Sequence, residues 1–318
     1  MGPEEHALRL ADHPNLVSHL RESLGGLSDE AVPPPDLTSL APPASRLTDA
    51  VRAKLQAAVG EDAISFDDAD RIAHSYGRSY RDLVRARAGA VDRITDGVVY
   101  PADAADVAAV LSIASEQGIA VIPFGGGTSV VGGVEPLSDR SADSPPATLT
   151  LDTRGLDHIE LDATSQLADV GAGLMGPDLE AALGAKGFTL GHFPQSFEFS
   201  TVGGWIAARG AGQQSTRYGK IEELVQSVRL VTPAGEIETR NTPASAAGPS
   251  VVQQVVGSEG TLGVIVSAKV HVRPLAESMR MATYLFGDFA SGCTAMRMLE
   301  QAALPLSIVR LSDAEETR

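Results

Sequence analysis
Three consecutive glycines, Gly125-Gly126-Gly127, followed by Thr128 and Ser129, stand directly after an apolar run that ends at Phe124. A turn without Cβ atoms reaches φ angles closed to other residues and lets several backbone N–H groups converge on one anion, with two hydroxyls as further donors. Taken alone, the same glycines also suit a tight hairpin turn. The spacing excludes the two commoner phosphate loops, because no Gly-Lys-Ser/Thr ending follows and no GxGxxG sequence opens a helix. Two more small-residue turns, Ser200-Thr201-Val202-Gly203-Gly204-Trp205 and Gly257-Ser258-Glu259-Gly260-Thr261-Leu262-Gly263, flank apolar strands. Backbone access at several separate points is what a long, flat cofactor requires when it passes between two subdomains.

Other reactive side chains are few. Cys293 is the only cysteine, so neither an intrachain disulfide, a cysteine-based zinc site nor an iron–sulfur cluster can form, and no metal site is expected. Any redox chemistry must come from a bound organic cofactor. Arg78, Arg81, Arg85 and Arg87 crowd one stretch, which reads as a solvated face or as a contact to a phosphate. Trp205 reads as a core anchor or as part of the site. The formal charge of −16 argues against extended contact with nucleic acid, which demands clustered bases. No window approaches the ~20 apolar residues that span a bilayer, and Met1–Leu10 carries acids where a secretory signal carries bases, so a cytoplasmic home is expected.

These residues need a scaffold. The 318 residues, 43% hydrophobic, exceed what one core usually serves and imply more than one lobe. Helical spacing covers Glu5–Leu24 and Leu47–Val59, separated by a proline-rich linker through Val32–Pro35 and Leu40–Ser45, and another helix is predicted over Asp67–Arg87. Gly97–Tyr100, Asp103–Gln117 and Ala120–Pro123 read as a strand–helix–strand unit feeding the glycine turn. Strands are predicted at Thr148–Leu151, Ala168–Gly171, Val228–Val231 and Val264–Val272, with a helix over Pro177–Lys186 between them. Beyond Pro274, the pattern predicts a strand at Thr283–Phe286, a helix at Phe289–Ala303 and a strand at Ser307–Leu311.

At the three turns the sequence resembles the FAD-binding proteins of the vanillyl-alcohol-oxidase and para-cresol-methylhydroxylase (PCMH) type, whose phosphate loop, TVGG segment and GSEGTLG segment occur here in the same order. Within that superfamily it is most similar to the alkylglycerone-phosphate synthases, the ether-lipid enzymes. The similarity runs from about Ser65 through Pro123–Gly133, Gly191–Phe199, Thr201–Gly210, Tyr218–Leu224 and Ser307–Leu311, and covers roughly four-fifths of the chain. It implies an α+β, two-subdomain fold: an N-terminal helical region and linker over residues 1–92, the FAD-binding domain over 93–275 and the beginning of a substrate (cap) domain over 276–318. The resemblance implies that Gly125, Gly126, Gly127, Thr128, Ser129, Val130 and Val131 hold the pyrophosphate, with Pro123 a further cofactor contact. It places Pro194, Gln195, Ser196, Phe197, Glu198, Phe199, Ser200, Thr201, Gly203, Gly204, Ala207, Ala208, Arg209 and Gly210 along the middle of the cofactor and the flavin. Glu259, Gly260, Thr261, Leu262, Gly263, Val264 and Ile265 supply the remaining contacts. Attachment is expected to be noncovalent, since no His or Cys lies in Phe124–Gly133, and His192 reads as a packing or hydrogen-bonding residue.

Arg310 matches a family arginine near the active site, where it would pair with a substrate phosphate; a surface salt bridge is the alternative. The resemblance implies that a fatty alcohol replaces the acyl group of acyl dihydroxyacetone phosphate by way of a flavin adduct. Two alternatives stand beside it: hydride transfer from a 2-hydroxy acid such as lactate or glycolate, and a truncated, catalytically inactive FAD-binding module. The first departure is His192-Phe193-Pro194-Gln195-Ser196, where the synthases read His-Glu-Pro-Asp-Ser. The second is length, because the family's C-terminal tyrosine and histidine run have no counterpart here. The implied partner is a small-molecule or lipid-like phosphorylated substrate, met in the cytoplasm or peripherally at a membrane, with a homodimer allowed.

Overall fold
The computed structural model describes residues 13, 15–26, 35–36, 39–136, 145–243 and 245–317. Helix α1 (Leu16–Leu24) stops at Gly25, which takes a φ of 71°; residues 5–12 and 14 of the helix expected there, and residues 32–34 of the linker, lie outside the described residues. Helix α2 (Asp49–Val59) starts at Thr48, whose hydroxyl accepts from the Val51 N–H, and strand β1 (Ile64–Ser65) follows. The single helix predicted over Asp67–Arg87 is instead two, α3 (Asp68–Ala73) and α4 (Tyr80–Arg87). The break has two causes. Ser79 and Asp82 form a reciprocal capping box that starts α4 afresh, and Gly77 is pressed so closely on the Ser129 carbonyl that a Cβ there would collide with it.

The first lobe is built from β2 (Gly97–Val99), α5 (Ala104–Gln117), β3 (Ala120–Phe124) and β4 (Thr148–Asp152). Asp103 caps α5 by accepting from the Ala105 and Asp106 N–H groups, and Gly118 ends it at a φ of 67°. Its sheet runs β1-β2-β4-β3, with β2 and β3 parallel to β4 and β1 antiparallel to β2. Leu55 of α2, Val107 and Val110 of α5, and Leu149 and Leu151 of β4 share one core.

The second lobe contains β5 (Ile159–Asp162), β6 (Leu167–Gly171), α6 (Gly176–Gly184), β7 (Phe188–Thr189), α7 (Val202–Ala207), α8 (Ser215–Tyr218) and α9 (Ile221–Leu224). It continues through β8 (Val225–Thr232), β9 (Gly235–Glu238), α10 (Val251–Val255), β10 (Val264–His271) and β11 (Arg273–Pro274). Its antiparallel sheet has the order β5-β6-β10-β8-β9, and β11 pairs with β7 in a separate ribbon. Successive side chains of a strand point to opposite faces, and β8 and β10 use both: Val231, Val264 and Val266 join the first core, while Leu230, Ile265 and Ala268 join the second with Leu179, Leu183, Trp205 and Ile206. The antiparallel sheet is therefore the wall common to both lobes, and the class is α+β.

Helix α11 (Phe289–Gln301) is capped by Asp288, which accepts from the Ser291 N–H. The strands predicted at Thr283–Phe286 and Ser307–Leu311 do not form. Their β-branched and aromatic residues fit a strand, but no neighbouring strand takes up their backbone groups among the described residues, and Tyr284, Leu285 and Ile308 are exposed.

Candidate cofactor cleft
Beyond Phe124 the chain turns through Gly125-Gly126-Gly127 against the segment that leads into α7. A Cβ on Gly125 would collide with the Thr201 hydroxyl, one on Gly126 with the Phe199 carbonyl, and one on Gly127, whose φ is 64°, with the Phe124 ring. These glycines are packed on one side and open on the other. Among the described residues the N–H groups of Gly126, Gly127 and Thr128 meet no protein acceptor, and their residues line a cleft of about 340 Å³. That volume lies in the range of cofactor and ligand sites.

All three turns converge on this cleft. Pro123, Gly125 to Val131, Gly133 and Val134 form one wall; Pro194, Ser196, Ser200, Thr201, Gly203, Gly204, Trp205, Ala207, Ala208 and Gly210 form another; Glu259, Gly260, Gly263 and Ile265 complete it. Glu259 is the one ionisable side chain among the described lining residues. An anion here would be held by backbone N–H groups and the Thr128 and Ser129 hydroxyls, without a facing Lys or Arg. Trp205 is both anchor and wall. It is buried, donates its Nε1–H to the Ser200 hydroxyl at 2.7 Å, stacks on Phe197 with ring centroids 6.2 Å apart, and still reaches the cleft.

Several expected contacts lie elsewhere. Phe197 backs the wall through Trp205, Phe199 supports Gly126 by its carbonyl, and neither Gln195 nor Glu198 lines the cleft. Arg209, at a φ of 53°, turns its guanidinium away, donating to the Gln253 and Val256 carbonyl oxygens at 3.2 and 3.1 Å. It thereby ties the end of α7 to α10. Thr261, Leu262 and Val264 line a smaller cavity of about 210 Å³ with Leu111 and Pro233. Arg310 lies outside both cavities and pairs with Glu316 on the exposed surface.

Two contributors were not singled out from sequence. Thr153 lines the cleft and donates its hydroxyl to the Phe124 carbonyl at 3.2 Å; only the parallel pairing that sets Asp152 opposite Phe124 brings it there. Val134, beyond the glycine turn, reaches it because the loop folds back, with the Gly133 N–H donating to the Ser129 hydroxyl at 3.1 Å. His192 is fully buried behind Gly210, its ring 5.1 Å from Trp205, and neither nitrogen has a hydrogen-bond partner among the described residues. Burial pushes it down to about 4, so it is neutral at pH 7.

Comparison with known proteins accords with this geometry. The FAD binding domain family matches residues 95–240. Residues 95–240 therefore form a FAD binding domain of the PCMH type, shared with a class of flavoproteins, and FAD is its cofactor. Within them it is homologous to the alkyldihydroxyacetonephosphate synthases: it is 37% identical to that of Dictyostelium discoideum over 81% of this chain and 41% of the relative, and 36% identical to that of Trypanosoma brucei brucei over 83% and 43%. A D-lactate dehydrogenase of Archaeoglobus fulgidus is 30% identical over 66% of this chain and 46% of the relative. A solved alkyldihydroxyacetonephosphate synthase superposes with a TM-score of 0.86 at 32% identity, covering 96% of this chain and 56% of that one. The chain thus spans less than half the length of these curated relatives.

Proposed function
We propose that this chain is the FAD-binding part of an enzyme of the alkylglycerone-phosphate synthase type, acting on a lipid-like phosphorylated ketone substrate and a fatty alcohol. The observation that carries the proposal is the convergence of three glycine-rich turns on one cleft, in a chain with 36–37% identity to such synthases. When bound, FAD supplies a ring that accepts and returns an electron pair. The chain's own part is to bind and orient it: the Gly126, Gly127 and Thr128 N–H groups hold the pyrophosphate, and Pro194, Ala207, Ala208 and Gly210 give the flat ring a small-residue wall that excludes water. Attachment is noncovalent, in keeping with the absence of His and Cys among the described lining residues. Residues 276–318 would belong to the substrate domain, and encounter with the lipid substrate would occur peripherally at a membrane.

The relation to a D-lactate dehydrogenase supports a second reading, oxidation of a 2-hydroxy acid. A third reading is a module that holds FAD without turnover, since the cleft retains the cofactor by backbone donors and one ionisable side chain alone lines it among the described residues. One experiment separates them. The purified chain is expected to be yellow and to release FAD on heating. Exchange of the acyl group for a labelled fatty alcohol would then support the synthase; anaerobic bleaching by D-lactate would support the dehydrogenase; retained FAD with neither reaction would support the module. A colourless protein that takes up no added FAD would overturn all three.

A further inference from the structure
Beneath the glycine turn lies an ionic cluster centred on buried His74, just beyond α3. Its Nδ1 stands 2.8 Å from the Asp70 carbonyl oxygen and 3.1 Å from Asp70 Oδ1, and its Nε2 3.1 Å from Asp152 Oδ2 on β4. Tyr100 donates to Asp70 at 2.7 Å, and Arg154 donates to Asp152 at 2.9 Å while approaching His74 Nε2 at 3.4 Å. Tyr100 also meets the imidazole edge-on, with centroids 5.7 Å apart. The imidazole packs on Phe124, with centroids 4.9 Å apart, and Phe124 is the ring on which Gly127 rests. The same segment touches the loop again, where the Arg78 N–H donates to the Ser129 carbonyl at 2.7 Å.

A neutral imidazole has one N–H; acceptors on both sides of the ring call for two, which only the imidazolium has. Burial by itself lowers His74, but the hydrogen bonds to Asp152 and Asp70 outweigh it and hold the group up at about 9. Burial likewise raises Asp70, and bonds from His74, Tyr100 and Ser65 bring it down to about 2.

We propose that His74 is a positioning residue for FAD: as the imidazolium it clasps the end of α3 to β4 and so holds the phosphate turn, through Phe124 and Ser129, in the shape that receives the pyrophosphate. Loss of its proton turns a lone pair toward one of its acceptors, loosens residues 74–79 and with them the turn, and FAD retention falls. The inference rests on the FAD reading of the cleft.

The test measures FAD binding by flavin fluorescence, with ADP as a flavin-free pyrophosphate ligand, for the wild type and His74→Gln between about pH 7 and about pH 10. Expected are an affinity that drops about tenfold in the wild type as pH rises through the His74 titration, and a variant about tenfold weaker at neutral pH with a flat profile. A variant that matches the wild type in affinity, or repeats its pH profile, overturns the proposal. Should the variant fail to fold, amide exchange of the wild type decides: alkaline loss of protection at the hydrogen-bonded amides of His74, Ser75, Arg78 and Gly133, with α5 unchanged, is expected, and unchanged protection there overturns it. Wild type that binds neither FAD nor ADP while the turn loosens as described would sink the cleft reading and leave the clasp standing.

Discussion

Beneath the glycine turn, His74 is wedged between two carboxylates; behind Gly210, His192 sits fully buried against Trp205, with neither nitrogen hydrogen-bonded among the described residues. Both rings flank the same cleft and both are removed from water, yet one is held charged up to about 9 and the other neutral down to about 4. Burial works in the same direction at each site. The difference lies in the partners: Asp70 and Asp152 compensate the charge at His74, whereas at His192 the attraction of Glu222 is too weak to offset desolvation. The region under the phosphate turn is thus a paired ionic support, and the region behind the second wall is ordinary packing.

The largest effect that sharpens this contrast is on stability. His74→Leu removes the partner shared by buried Asp152, which keeps Arg154, and half-buried Asp70, which keeps Tyr100, and is expected to cost about 3 kcal/mol, the low end for a broken buried pair, while His192→Leu loses no hydrogen bond seen among the described residues and should change stability by less than about 1.5 kcal/mol; urea unfolding of both variants measures it. Equal costs would break the comparison.

The pH limbs come next, and they have opposite signs. His74 gains a proton affinity on folding, so its contribution is complete below about 6.5 and is lost as pH rises through about 9. His192 loses proton affinity on folding, so the native state is penalised as pH falls from about 6.5 toward about 4. Each limb is of order 3 kcal/mol by the free-energy equivalent of a pKa change. The wild type minus His74→Gln and wild type minus His192→Leu stability curves should isolate them, one alkaline and one acid.

A smaller effect is expected for Gly127→Ala, which forces a Cβ at positive φ onto the Phe124 ring. It should cost about 1–3 kcal/mol and weaken FAD binding, and Phe124→Leu in the same chain should recover part of the loss. No recovery would separate the turn from the His74 stack. The smallest effect belongs to Arg310→Ala: its pair with Glu316 is exposed, so stability should move by less than about 0.5 kcal/mol and FAD affinity not at all. A clear loss of FAD affinity would restore Arg310 to the site.

What was legible in the sequence was local. Asp103 and Gly118 bracket α5 because a carboxylate satisfies the first N–H groups and glycine accepts the left-handed end. The three glycine turns stood out because a missing Cβ is a residue-type signal. The split of Asp67–Arg87 was only half legible: the Ser79/Asp82 capping box is local, but the Gly77 contact comes from Ser129, far along the chain. The strands predicted at Thr283–Phe286 and Ser307–Leu311 failed for the complementary reason: side-chain preference alone does not supply the neighbour a strand must pair with.

The sequence by itself determined where the backbone could turn tightly, which helices were capped and that one flat, anionic cofactor was wanted at several points, because these depend on the chemistry of adjacent residues. Only the tertiary structure decided that Thr153 reaches the cleft, that Arg209 and Arg310 turn away from it, and that His74 is a charged support while His192 is not. Charge state and reach are set by groups brought together across parallel pairing and between lobes, and the energy of a buried proton depends on those neighbours rather than on the residue that carries it.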